Sequence, residues 1–187
     1  MMTRFDPSTS LILVALEDEL PQDAAPEWII RYTGVGKVNA AIGGYQAIIE
    51  TRPQTVINFG TAGTLKENLS GILEVTRFYQ RDLDVRGLGF SLGQTPFENE
   101  GPIDLGRAGV SIGTGDSFVE TMPELKTDLV DMEAYALARL CMTLGLPFWC
   151  FKYVSDQADG NAAEDWSAAL RKSSALFTTT ILNSRHA

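Results

Sequence analysis

Histidine is almost missing from this chain of 187 residues; the single copy is His186. Imidazole acid–base catalysis and histidine metal sites therefore have almost nothing to build on. Cysteine is nearly as scarce. Cys141 and Cys150 lack the paired spacing of a metal-ligand set. They fall in an expected helix and an expected apolar strand, and so read as buried free thiols of a reducing, cytoplasmic compartment. No basic run or basic amphipathic helix occurs, and the net charge is −9. Nucleic acid and membrane surfaces, which need a basic face, are not expected partners. Long apolar runs are missing too. Leu11 to Leu16 is too short for a membrane span or the core of a secretion signal. No internal repeat or low-complexity segment is visible. If this chain is an enzyme, its proton chemistry runs on carboxylates, with no metal and no cofactor.

What is present describes an ordinary globular chain. Apolar residues make up 44% and charged residues 21%, and the length fits one domain, residues 1–187. Strand and helix signals alternate. Ser10 to Leu16 reads as a buried strand, and Glu27 to Thr33 as a second. Lys37 to Thr51 has helical spacing of Val38, Ala41, Ile42, Tyr45, Ile48 and Ile49, read as its core face, and Arg52-Pro53 stops it. Thr55 to Phe59 is a strand entering a glycine-bearing loop, Gly60 to Gly63. Ile72 to Asp82 is β-rich. Asp84 to Arg107 holds most of the remaining glycine and proline and reads as an active-site loop region. Ala108 to Gly113 is a short strand. Met132 to Leu144 is a helix with Leu137, Leu140, Cys141 and Leu144 on one face. Phe148 to Val154 is a strand buried on both faces. Asn161-x-x-Glu164 resembles a capping box opening a last helix, with Trp166, Leu170, Phe177 and Ile181 inward. The alternation predicts an α/β protein.

Several short motifs carry chemistry, each with a plainer alternative. Gly34-Val35-Gly36-Lys37 fails as a phosphate loop, because Arg31 replaces the first glycine and Val38 the magnesium-binding hydroxyl. It reads as a tight strand-to-helix turn. Gly60 to Gly63 offers backbone amides to an anion or ribose oxygens, or is a plain loop. Glu17-Asp18-Glu19 is a solvated helix start favoured by the dipole, or one acid turns into a crevice. Asp131 and Glu133 sit at a helix start, where dipole and cap explain them equally well. Asp156 ends an apolar strand, where a carboxylate is costly unless it is hydrogen-bonded or faces a cleft. Glu133 and Asp156 both fall where an α/β sheet keeps its ligand crevice, beyond the carboxyl ends of the strands.

Taken in order, these segments resemble the nucleoside phosphorylase and nucleosidase superfamily, most closely the 5'-methylthioadenosine/S-adenosylhomocysteine nucleosidases. The likeness runs through Leu13 to Leu20 (LVALEDEL), Thr33 to Ala41 (TGVGKVNAA), Asn58 to Leu65 (NFGTAGTL), Gly115 to Val119 (GDSFV), Val130 to Ala134 (VDMEA) and Val154 to Asp159 (VSDQAD). Asp82 to Gln94 also resembles the family's Asp-x-Asp loop. Each motif alone is weak, but the ordered set spans nearly the whole chain.

The resemblance implies a trimmed three-layer α/β/α fold on a central mixed, mostly parallel twisted sheet. It implies hydrolysis of a purine nucleoside by water, in a homodimer. Asp156 matches the proton donor to purine N7, Glu133 the ligand of the ribose hydroxyls, and Glu19 the base that activates water. Thr61 and Lys152 match groups around that water, where Lys152 replaces an arginine and loses its fork geometry. Phe118 matches an aromatic stacked on the purine, and Met132 packs on the sugar. Leu16 and Val35 line the sugar and its 5' substituent. Ala62, Gly63 and Ser155 complete the expected substrate contacts. Acidic Glu17-Asp18-Glu19 stands where phosphorylases keep a phosphate site, which favours hydrolysis over phosphorolysis. Three other readings stay open: a purine nucleoside phosphorylase, a nucleotide such as AMP as substrate, and, because segments before Tyr32, before Gly113 and after Phe118 are shortened, a non-catalytic nucleoside-binding module.

Overall fold

The computed structural model describes residues 4–97, 102–119, 121–158 and 162–183. Within them, eight strands and three α-helices form a mixed α/β fold. The strands are β1 (Ser10–Val14), β2 (Ile29–Tyr32), β3 (Thr55–Thr64), β4 (Ile72–Gln80), β5 (Ile103–Asp104), β6 (Val110–Thr114), β7 (Leu129–Asp131) and β8 (Phe148–Asp156). The helices are α1 (Lys37–Thr51), α2 (Ala134–Leu144) and α3 (Ala162–Phe177), the last running into a π-helical turn, Thr178–Leu182.

The sheet runs β2-β1-β3-β7-β6-β4-β5, and β8 bridges β3 and β4. The pairing therefore closes on itself through β3, β7, β6, β4 and β8. Pairings β1–β2, β1–β3, β3–β8, β4–β6 and β6–β7 are parallel. Pairings β3–β7, β4–β5 and β4–β8 are antiparallel. Successive side chains of a strand face opposite ways, and two cores follow from that. Leu11, Leu13, Val56, Phe148 and Cys150 point to the side where α1 and α2 pack together. Ile12, Val14, Ile57, Phe59 and Phe151 point to the other side, with Phe177 from α3 stacked on Phe59 at 4.0 Å between ring centroids.

Several elements differ from expectation. Gly60 to Gly63 is not a loop: β3 continues to Thr64, and Thr61, Ala62 and Gly63 pair with Tyr153, Val154 and Asp156 of β8. Small residues carry no apolar alternation, so the sequence hides the strand's second half. Val130 and Asp131 do not begin a helix but end the three-residue strand β7, and α2 starts only at Ala134. Helix α1 has the expected bounds yet buries a different stripe. Of the expected face only Ile48 is buried, beside Ala40, Gly44 and Ala47, whereas Val38, Ile42, Tyr45 and Ile49 are half-exposed or more. Small residues let α2 approach closely, with Leu137 and Leu140 against Gly44. On α2, Leu144 is exposed and Ala134 and Ala138 are buried instead. Phe177 is buried and Ile181 partly so. His186, Asn161 of the expected capping box and the Trp166 side chain lie outside the described residues. No helix among the described residues is long and apolar enough to cross a membrane.

Candidate active site

One cavity of about 260 Å³ opens beyond the carboxyl ends of β1, β3, β6, β7 and β8. Glu19, Glu133 and Asp156, from distant parts of the sequence, all line it.

Glu19 closes a 3-10 turn, Glu17–Glu19, just after β1, and its side chain is folded inward and buried. Its Oε1 accepts hydrogen bonds from the Thr61 backbone N–H (2.8 Å) and the Thr61 hydroxyl (2.7 Å). Its Oε2 accepts from the Leu16 amide at 3.2 Å. Of the three consecutive acids, one therefore faces the crevice and two face outward.

Asp156 is the last residue of β8. Its Oδ2 accepts from the Ser155 hydroxyl at 2.6 Å and its Oδ1 from the Ala158 amide at 2.8 Å. A side chain at Gly63 would meet Asp156 Oδ1 at 2.7 Å, so the carboxylate needs a bare backbone opposite it.

Glu133 precedes α2 and is buried. Its Oε1 accepts from the Gly36 amide at 2.9 Å. The positive φ of Gly36, +93°, suits glycine and turns that amide into the site. Burial, and after it the charge of Asp131, pushes the Glu133 carboxyl up to about 7. Lys152 and the Gly36 amide pull it down, but less strongly.

Lys152 is not on the cavity wall. It lies beneath it, almost wholly buried, with Nζ 2.9 Å from Asp131 Oδ2. Asp131 also accepts from the Thr114 hydroxyl (2.6 Å) and the Ala134 amide (2.8 Å). Burial opposes the ammonium charge, yet Asp131, Glu133 and Glu19 around it raise the Lys152 pKa overall. Among the described residues no group of His, Cys, Asp and Glu is arranged to hold a metal ion.

The Phosphorylase superfamily model matches residues 97–183. A 5'-methylthioadenosine/S-adenosylhomocysteine nucleosidase of Staphylococcus saprophyticus is 32% identical over 172 aligned positions, covering 78% of this chain and 75% of the relative. This chain belongs to the 5'-methylthioadenosine/S-adenosylhomocysteine nucleosidase family. A solved Neisseria meningitidis member of the family, in complex with methylthio-immucillin-A, superposes with a TM-score of 0.78 at 26% identity, over 95% of this chain and 100% of that one. The futalosine hydrolase of Helicobacter pylori shares the fold, with a TM-score of 0.83 at 22% identity over 93% and 97% of the two chains.

Set against the family pattern, Leu16, Val35, Thr61, Ala62, Gly63, Phe118, Met132 and Ser155 all line the cavity beside the three carboxylates. Lys152 alone among the expected residues does not. Its shorter reach and its bond to Asp131 hold it below the floor. The Asp84 to Arg107 region supplies no cavity residue among those described. Arg81, Ser117 and Val119 form that wall instead. Sequence reasoning also passed over Asp131 as a partner for Lys152. The signal was there: a lysine inside an apolar strand requires a buried counter-charge.

Proposed function

We propose that the chain hydrolyses the N-glycosidic bond of an adenosine-type nucleoside carrying a 5' substituent, such as 5'-methylthioadenosine or S-adenosylhomocysteine, and releases the free base. The observation that carries this reading is the meeting of Glu19, Glu133 and Asp156 around one cavity. Asp156 gives a proton to N7, so that the purine departs neutral rather than as a poor anionic leaving group. The bond to C1' then breaks and the ribose gains oxocarbenium character, which nearby carboxylates stabilise. Glu133 accepts the ribose hydroxyls. Glu19, fastened by Thr61, takes a proton from the water that adds to C1'. Phe118 stacks on the base and Met132 packs on the sugar. Glu19, Glu133 and Asp156 line the cavity against one cation, Arg81, a balance that disfavours phosphate and favours water as the nucleophile.

The test is chromatographic. Purified protein with 5'-methylthioadenosine in phosphate-free buffer releases adenine, and Glu19→Gln, Glu133→Gln and Asp156→Asn each lower the rate by roughly 100-fold or more. Dependence on added phosphate would make it a phosphorylase. Tight binding without turnover would make it a nucleoside-binding module.

We also propose a single three-layer domain, in which a mostly parallel sheet carries α1 and α2 on one face and α3 on the other. A homodimer is supported by the stripe Val38, Ile42, Tyr45 and Ile49, which recurs at helical spacing on the outer face of α1 and is apolar enough to seek a partner. Cys141 and Cys150 are buried free thiols, each pushed up to about 12 by burial, which supports a cytoplasmic setting.

A further inference from the structure

Phe118 stands in a stretch without regular structure just after β6 and is half-exposed. A stacking platform must be held, and apart from Arg81 the fastenings of this loop come from residues that do not line the cavity. Asp116 Oδ1 accepts from the Lys37 backbone N–H at 2.8 Å. The Asp116 amide donates to Asp82 Oδ2 at 2.8 Å. The ring is closed by the Lys37 ammonium, which donates to Asp82 Oδ1 at 2.6 Å and lies 3.6 Å from Asp116 Oδ2. Its side chain is largely covered, so the pair is only partly screened. Arg81 adds bonds to the carbonyls of Gly115 and Ser117 and to the Ser117 hydroxyl.

Lys37 directly follows Gly36, whose amide holds Glu133. Two successive amides at the start of α1 therefore take two carboxylates, one from the sugar side and one from the base side. Lys37 contributes nothing to the cavity wall itself.

We propose that Lys37 is a positioning residue for purine binding: its ammonium locks Asp82 and Asp116 together and so fixes the Gly115–Val119 loop that carries Phe118. The assignment rests on the nucleoside-hydrolase reading. The Lys37→Met backbone keeps the Gly36 and Lys37 amides, so Glu133 stays held while the base platform loosens. Lys37→Met then raises KM for 5'-methylthioadenosine roughly tenfold, the scale of one lost base–aromatic stack, with kcat changed less than about threefold. Lys37→Arg, which still bridges two carboxylates, restores KM.

The deciding measurement is a double-mutant cycle with Phe118→Ala. If Lys37 acts through Phe118, adding Lys37→Met to Phe118→Ala raises KM no further. Additive effects, an unchanged KM in Lys37→Met, or a loss confined to kcat would overturn the proposal. Asp116→Asn provides the same comparison should Lys37→Met fold poorly, since it keeps the amide contact and removes the charge. Wild-type protein that releases no adenine would overturn the hydrolase reading, whereas active wild type with an additive cycle overturns this one alone.

Discussion

Titration of Glu133 should govern the rate near neutral pH. Its ordinary value is 4.5; burial, then the Asp131 charge beside it, lifts it to about 7. The ionised carboxylate is the form that accepts hydroxyl protons from ribose. The value of kcat/KM, which reports the free enzyme, therefore falls as pH drops through about 7, approaching about tenfold per pH unit on the acid side. Stability moves the other way. Over the window between 4.5 and 7 the folded protein binds a proton that the unfolded chain has released. This contribution is fully present below pH 4.5 and is lost as pH rises through about 7. Its size is about 3 kcal/mol. Glu133→Gln keeps the hydrogen-bonding shape but cannot titrate. It should remove the acid limb together with most of the rate, and flatten the stability change across the same window. Adenine release from pH 5 to 9 and urea unfolding at matched pH measure both effects. An acid limb with its midpoint near 4.5, or one that survives Glu133→Gln, refutes the reasoning.

Three other outcomes follow from the same geometry. Lys152→Met strands the buried Asp131 carboxylate and should cost about 3–5 kcal/mol, read as a lower urea midpoint at unchanged slope; a loss under about 1 kcal/mol would mean that Asp131 finds other compensation. Gly63→Ala puts a methyl 2.7 Å from Asp156 Oδ1 and 3.1 Å from Ala158 Cβ, so kcat should fall roughly 10- to 100-fold as the proton donor shifts, and an unchanged kcat would remove Asp156 from the mechanism. If the proposed homodimer forms through the outer face of α1, Ile42→Glu should make the protein sediment as a monomer, and a wild type that already sediments as a monomer would remove the proposed interface.

The bounds of α1 were legible because Gly36 and Arg52-Pro53 punctuate them. The face it buries was not. The larger apolar residues at Val38, Ile42 and Tyr45 gave the stronger periodic signal, but α2 packs on Gly44, and Ala40 and Ala47 are buried with it. β7 escaped notice because three residues carry too little pattern. The second half of β3 escaped because glycine, alanine and threonine look the same in a loop and in a strand. At the site, the three carboxylates were readable through their ordered motifs, whereas the Lys152–Asp131 pair depended on which strands became neighbours.

Local order along the chain determined most of the strands and helices, and which acidic groups are available to a chain with a single histidine. Those properties depend on side-chain type and short spacing, which a linear string contains. Only the folded structure decided that Glu19 turns inward while Glu17 and Asp18 do not, that Gly36 reaches Glu133 across 97 positions, and that Lys152 sinks beneath the cavity. Each of those results comes from which strands become neighbours: β1 and β2, beside β3, carry the turns that hold Glu19 and Gly36, and the closure of β3, β7, β6, β4 and β8 sets Lys152 against Asp131. Strand ends far apart in sequence are thereby brought within hydrogen-bonding distance, where burial and neighbouring charge set what each group can do.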